Sequence, residues 1–145
     1  MTVKIVKLNP NAHIPTYGSA SAAGADLYAC IEQTVCIQPG QTVLVPTGLS
    51  MEIEEGFAGF IYARSGLATK RGLAPANKVG VIDSDYRGQV MGSLHNHTNT
   101  PQSVEAGERV AQIVFAPVYQ AQFCLVDALQ ETQRGTGGFG STGTK

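Results

Sequence analysis

Residues 80–88, GVIDSDYRG, put two carboxylates, a phenol and a guanidinium into one short segment. Asp83 and Asp85 are the candidates for general-base chemistry, since a carboxylate within hydrogen-bond reach of a water can take its proton. A turn accounts for the same residues without any chemistry, because Asp and Ser side chains bond to nearby backbone and Gly88 allows a tight exit. Further along, Arg64-Ser65-Gly66 precedes a short helical pattern. Free N–H groups at a helix start attract anions, and Arg64 and Ser65 would add a charge and a hydroxyl there. A plain serine cap explains Ser65 equally well. Gln112 lies on an otherwise apolar strand face with Val110 and Val114. It either satisfies backbone or reaches a ligand.

The C-terminal stretch QRGTGGFGSTGTK carries the same theme. Bare glycine N–H groups can surround oxyanions. Gly138 and Gly143 have the separation of a Walker A loop, but Thr144-Lys145 stand in the wrong order and no helix can follow. What remains is Arg134 for charge, Phe139 for stacking, and Ser141 and Thr142 for hydrogen bonds. These parts suit closure over a phosphorylated aromatic ligand. A disordered glycine-rich terminus is the commoner use of such a sequence. His95 and His97 stand two apart on a strand end and share a face, yet a catalytic zinc site would need a third protein ligand. No Gly-x-Ser-x-Gly elbow supports a hydrolase triad.

These residues need elements to position them. Residues 3–8, 31–37, 42–45, 47–53, 57–63, 108–118 and 121–126 read as strands, and Asp26 opens another within AGADLYA. Residues 79–82 and 89–96 read as the two arms of a hairpin with Asp83 and Tyr86 near its tip. Residues 67–71 are the one helical stretch, with Ser65 as N-cap and Gly72 as stop. Residues 13–25 and 98–107 read as loops. Beyond Thr132 the chain has too little apolar surface to build a core element, so 133–145 is expected to be mobile unless a ligand orders it. Many short strands and almost no helix point to an all-β sandwich or jelly-roll-like barrel over residues 1–132.

Composition narrows the function. At 145 residues the chain is one domain. The 17 Gly and 7 Pro favour a turn-rich fold. Charged residues are 14%, against the usual ~25%. So little charge hints at surface buried between subunits. A net charge of −1 with no basic run argues against nucleic acid as a partner. The three cysteines form no CxxC spacing and read as reduced thiols. No apolar run suggests a signal peptide or membrane span, so the expected location is cytoplasmic.

AGADL (residues 23–27), ARSGLA (63–68), GVIDSDYRG (80–88), GERVAQIVF (107–115) and RGTGGFGSTG (134–143) occur in this order. The set resembles the motifs of the trimeric deoxyuridine triphosphatases (dUTP diphosphatases), with matching spacing along essentially the whole chain. Ala63 stands where that family often has proline. The resemblance implies a distorted jelly-roll (β-clip) fold and hydrolysis of dUTP to dUMP and pyrophosphate, with Mg²⁺ held mainly by the substrate phosphates. It implies a homotrimer with shared active sites. In it, Asp83 is the general base and Gln112 lies by the α-phosphate. Arg64, Ser65 and Gly66 hold phosphates. Asn77, Val81, Ile82, Asp83 and Met91 surround the nucleoside, and Tyr86 packs under the sugar. Asp26 acts on the magnesium shell through water. Arg134, Phe139, Gly140, Ser141 and Thr142 close over the nucleotide. The histidines of LHNHT have no role in this pattern. A dCTP deaminase of the same fold and a non-enzymatic jelly-roll interaction module are the competing readings.

Overall fold

The computed structural model describes residues 1–138. Strands β1 (Lys4–Lys7), β2 (Thr16–Tyr17), β3 (Ala25–Tyr28), β4 (Val35–Ile37), β5 (Thr42–Glu52) and β6 (Phe57–Tyr62) precede the helix α1 (Ser65–Arg71). Strands β7 (Leu73–Pro75), β8 (Gly80–Ile82), β9 (Gln89–Asn96), β10 (Gln102–Val104) and β11 (Arg109–Pro117) follow it. They form a four-stranded sheet β1-β5-β9-β7, a five-stranded sheet β2-β3-β11-β6-β8 and a two-stranded ribbon β10-β4. Every strand pair is antiparallel.

The two larger sheets bury their apolar faces against each other. One cluster joins Leu49, Met51 and Val90 to Leu27, Ile61, Ala111 and Ile113. A second joins Ile37, Val45, Leu73, Leu94, Val104 and Val110 around the helix residue Leu67. Val110 and Ala111 are both fully buried although adjacent, because the β11–β3 register shifts between Arg109 and Ala111. That irregularity breaks the strict alternation expected for the strand and lets neighbouring side chains serve different clusters.

The segment 79–96 is not a hairpin. β8 pairs with β6, whereas β9 pairs with β5 and β7 in the other sheet. Residues 83–88 therefore cross from one sheet to the other. In place of two strands there is one, β5 (Thr42–Glu52), with an irregularity where Thr47 and Gly48 have no partner on β9 between Pro46 and Leu49. Helix α1 begins at Ser65 with Arg64 as its N-cap, so Ser65 is inside the helix, and no side chain caps it. Gly72 ends it in the left-handed region, with its N–H bonded back to Ala68 and Leu67. Residues 121–126 form no strand, because among the described residues no strand receives their hydrogen bonds. Tyr119, Phe123, Leu125 and Leu129, in and beside this segment, are almost wholly exposed. Among the described residues no helix is long and apolar enough to cross a membrane.

Candidate active site

The site is best built from Asp26. It lies on β3, only 8% exposed, among strands that bury apolar residues. A carboxylate in such a place must find cations or donors. It finds two guanidiniums: Arg64 Nε donates to Oδ1 at 2.6 Å and Arg109 Nη1 donates to Oδ2 at 3.2 Å. Arg64 is the residue that opens α1, so the ion pair ties the helix start to the sheet. Gln112 stands directly opposite Asp26 across β11 and β3, and opposite Tyr62 across β11 and β6. Its Nε2 donates to the Ala63 carbonyl at 2.8 Å. Its Oε1 lies over Gly24, where an added Cβ would come within 2.4 Å. Gly24 thus keeps room for the amide. Asp26, Arg64 and Gln112 converge as a cluster, next to uncapped helix N–H groups and the exposed Ser65 and Gly66. Two guanidiniums against one carboxylate leave net positive charge, which suits polyphosphate oxygens.

Arg109 was not among the residues that motif and pattern singled out. Its signal was indirect: a buried Asp in AGADL requires a cation, but only the β3–β11 pairing says which.

The second group lies on the crossing segment. Tyr86 N donates to the Asp83 carbonyl at 3.2 Å, closing a turn over residues 83–86. Arg87 Nη1 donates to the Ser84 carbonyl at 2.6 Å, and Ser50 Oγ on β5 donates to the Arg87 carbonyl at 2.7 Å. These bonds shape the loop and leave the Asp83 side chain exposed. The Tyr86 hydroxyl donates to the Gln89 carbonyl at 3.1 Å, and the ring covers Gly88 so closely that an added Cβ would lie 2.3 Å from its oxygen. Val81 is exposed on β8 opposite Phe60, and Ile82 is half-buried opposite Gly59. Asn77 is exposed, and its amide lies beside Gly80. Met91 is 39% exposed on β9, opposite Pro46.

Among the described residues no hydrogen bond or ion pair links the two groups. Ile82 pairs with Gly59, so Asp83 follows at the Ala58 end of β6, while Gln112 pairs with Tyr62 at the other end. Four residues of strand separate Ala58 from Tyr62, roughly 14 Å at about 3.4 Å each. A groove of about 1120 Å³ lies beside Asp83 and is also lined by Glu52, Glu54, Glu55, Asp85 and Arg87. So many carboxylates disfavour a polyanion there, whereas the Arg64 end carries net positive charge.

The described tail holds Arg134, exposed, with its Nε donating to the Gly137 carbonyl at 2.7 Å. Phe139, Gly140, Ser141 and Thr142 lie outside the described residues. Among the described residues no group of three His, Cys, Asp or Glu could hold a metal. Both oxygens of Asp26 are already engaged by arginines. Such a carboxylate fits Mg²⁺ through water rather than as a direct ligand, for an ion whose other oxygens come from phosphates. His97 is held below the ordinary histidine range by desolvation first, then by the charges of His95 and Lys78.

The family profile described as dUTPase matches residues 10–143. This chain belongs to the dUTPase family. A relative from Desulfitobacterium hafniense, deoxyuridine 5'-triphosphate nucleotidohydrolase, is 49% identical over 142 residues, covering 97% of this chain and 94% of its own. The solved Staphylococcus bacteriophage 80alpha dUTPase with dUPNHPP is similar with a TM-score of 0.89 and 25% identity, over 98% of both chains. A mutant dUTPase from phage phi11 of S. aureus, with a structural Mg(II) ion, shares the fold at a TM-score of 0.81 and 21% identity, over 90% of this chain and 100% of that one. The all-β jelly-roll-like fold expected for the dUTPase family is the fold observed.

Proposed function

We propose that the chain hydrolyses dUTP to dUMP and pyrophosphate, lowering dUTP and supplying dUMP for dTMP synthesis. Membership of the dUTPase family supports the reaction. The observation that carries the site is the convergence of Asp26, Arg64 and Gln112 at the start of α1, one strand length from the exposed Asp83.

Phosphoryl transfer needs positioning and charge stabilisation more than a protein nucleophile. Arg64, Ser65, Gly66 and the free N–H groups of α1 hold the phosphates, and Gln112 turns its amide to the α-phosphate. Asp83 takes a proton from a water as its oxygen bonds to the α-phosphorus. The bond from that phosphorus to the bridging oxygen breaks, and pyrophosphate leaves with the electron pair. Tyr86, seated on Gly88, lies under the sugar and leaves no room for a ribose 2′-OH. Asn77, Val81, Ile82 and Met91 line the nucleoside side. Arg134, Phe139, Gly140, Ser141 and Thr142 close over the nucleotide, the lid being residues 133–145. Mg²⁺, when bound, would neutralise phosphate charge, and Asp26 would hold it through water.

The separation along β6 gives this site its assembly. A base must come within about 2.6–3.2 Å of the water it activates. One chain's Asp83 is a strand length from its own Gln112, so the complete site joins Asp83 of one chain to Arg64 and Gln112 of another. The exposed Tyr119, Phe123, Leu125 and Leu129 also call for a covering partner chain. A homotrimer with three shared sites meets both needs.

Pyrophosphate release from dUTP in the presence of magnesium tests the reaction, with dCTP, dTTP and UTP as controls. Release from dUTP alone is expected. Ammonia from dCTP would turn the reading to a deaminase, and inertness toward all four nucleotides to an interaction module.

A further inference from the structure

We propose that His95 and His97 form a binding site for a nitrogen-preferring divalent cation of the late first transition row, separate from the nucleotide and its magnesium. Both rings lie on the same side of the end of β9, with centroids 4.4 Å apart and planes at 61°. Two imidazoles bound in adjacent positions to one ion, at N–metal bonds of about 2.1 Å, place their centroids about 4.6 Å apart. The observed ring spacing is close to that value.

Thr42 adds a second, independent feature. It stands opposite His95 across β5 and β9, and its Oγ1 lies 2.8 Å from His95 Nδ1. When Nδ1–H donates to that hydroxyl, the lone pair of Nε2 is left for a metal. Outer hydrogen bonds of this kind fix the tautomer and ring orientation of metal-binding histidines. The backbone below is also held. The His97 N–H donates to the Gly72 carbonyl at 2.9 Å, and His95 pairs with Ala74 of β7. Pre-organised imidazoles lose less freedom on binding.

The donor set selects the ion. Two neutral nitrogens suit Ni²⁺, Cu²⁺ and Zn²⁺, and are poor partners for Mg²⁺, which takes oxygen ligands. No third His, Cys, Asp or Glu joins the pair among the described residues, so water completes the coordination. The Lys78 cation lies close enough to act on His97, which keeps the affinity modest.

The test is a Ni²⁺ titration of the full chain by calorimetry, without chelating buffer. One Ni²⁺ per chain is expected, not displaced by a hundredfold excess of Mg²⁺. His95→Gln and His97→Gln should each weaken it at least about tenfold, while His13→Gln, at a histidine stacked on Tyr28, should not. In the unmodified protein, the ring protons of His95 and His97 should broaden first with paramagnetic Ni²⁺, a readout that stands even if a variant misfolds. Absence of binding, wild-type affinity in either variant, or broadening of His13 at equal Ni²⁺ would overturn the proposal.

Discussion

Gly88 and Tyr86 are packed so that the tyrosine hydroxyl occupies the space a β-carbon would need, 2.3 Å from where that atom would sit. The ring therefore has its position because residue 88 has no side chain. Gly88→Ala forces the ring to swing, and the contacted atom is the far end of an exposed side chain, so the fold need not change. Little loss of thermal stability is expected, with a marked loss of preference for dUTP over UTP. The ratio of kcat/KM for the two nucleotides checks it; an unchanged ratio would detach Tyr86 from sugar selection.

Asp83→Asn keeps the shape of the loop and removes the base. Turnover of dUTP should fall about 10²–10⁴-fold, the usual range for general-base catalysis, with binding retained. Asp85→Asn should do far less. Single-turnover kinetics on both variants decides, and a crippled Asp85→Asn beside a mild Asp83→Asn would reverse the assignment.

Asp26 holds Arg64 at 2.6 Å and Arg109 at 3.2 Å. Asp26→Asn leaves two guanidiniums without their counter-charge. A loss of about 1.5–3 kcal/mol in unfolding free energy is expected, the scale of hydrogen bonds to charged groups. The magnesium concentration needed for half-maximal rate should rise as well. Denaturant melts and a magnesium titration read the two effects separately.

Removal of the residues after Thr132 should leave assembly and melting nearly intact, since none of the described residues beyond it is buried, while activity collapses. Light scattering of both proteins should give about three times the respective chain mass, which is 15.2 kDa for the full chain. Mixing this truncation with Asp83→Asn after dissociation and reassembly asks which chain supplies the lid. Recovered activity is expected if base and lid come from different chains. A mixture that stays inactive would place them on one chain.

The pH dependence of stability has one identified contributor at the β1–β5 edge. Lys4 Nζ lies 2.6 Å from Glu52 Oε1, and this hydrogen bond and charge hold Glu52 below its ordinary value of 4.5. The folded chain binds that proton less tightly than the unfolded chain. Its contribution is thus present above about 4.5 and is lost as pH falls through the folded value. Both side chains are exposed, so salt should screen it. Lys4→Gln should flatten this part of the acid limb of a pH–melting curve at low salt and change little at high salt.

The sequence alone carried the local information. The order and spacing of the motifs depend only on neighbouring residues, and the family is legible there. So are β1, β6 and β11, where apolar and β-branched runs end at turn residues, and the stop of α1 at Gly72. Partners were not legible. Residues 79–82 and 89–96 look like two arms of a hairpin, because alternation says that a strand has a buried face and not which strand lies beside it. Packing sent β8 to β6 and β9 to β5 and β7. For the same reason Arg109 could not be chosen as a partner of Asp26 until β3 and β11 were paired. Residues 121–126 have the composition of a strand, yet a strand exists only where another backbone accepts its hydrogen bonds. The tertiary structure also decided that Asp83 lies a strand length from Gln112, because the registers of β8 and β11 set the two residues at opposite ends of β6.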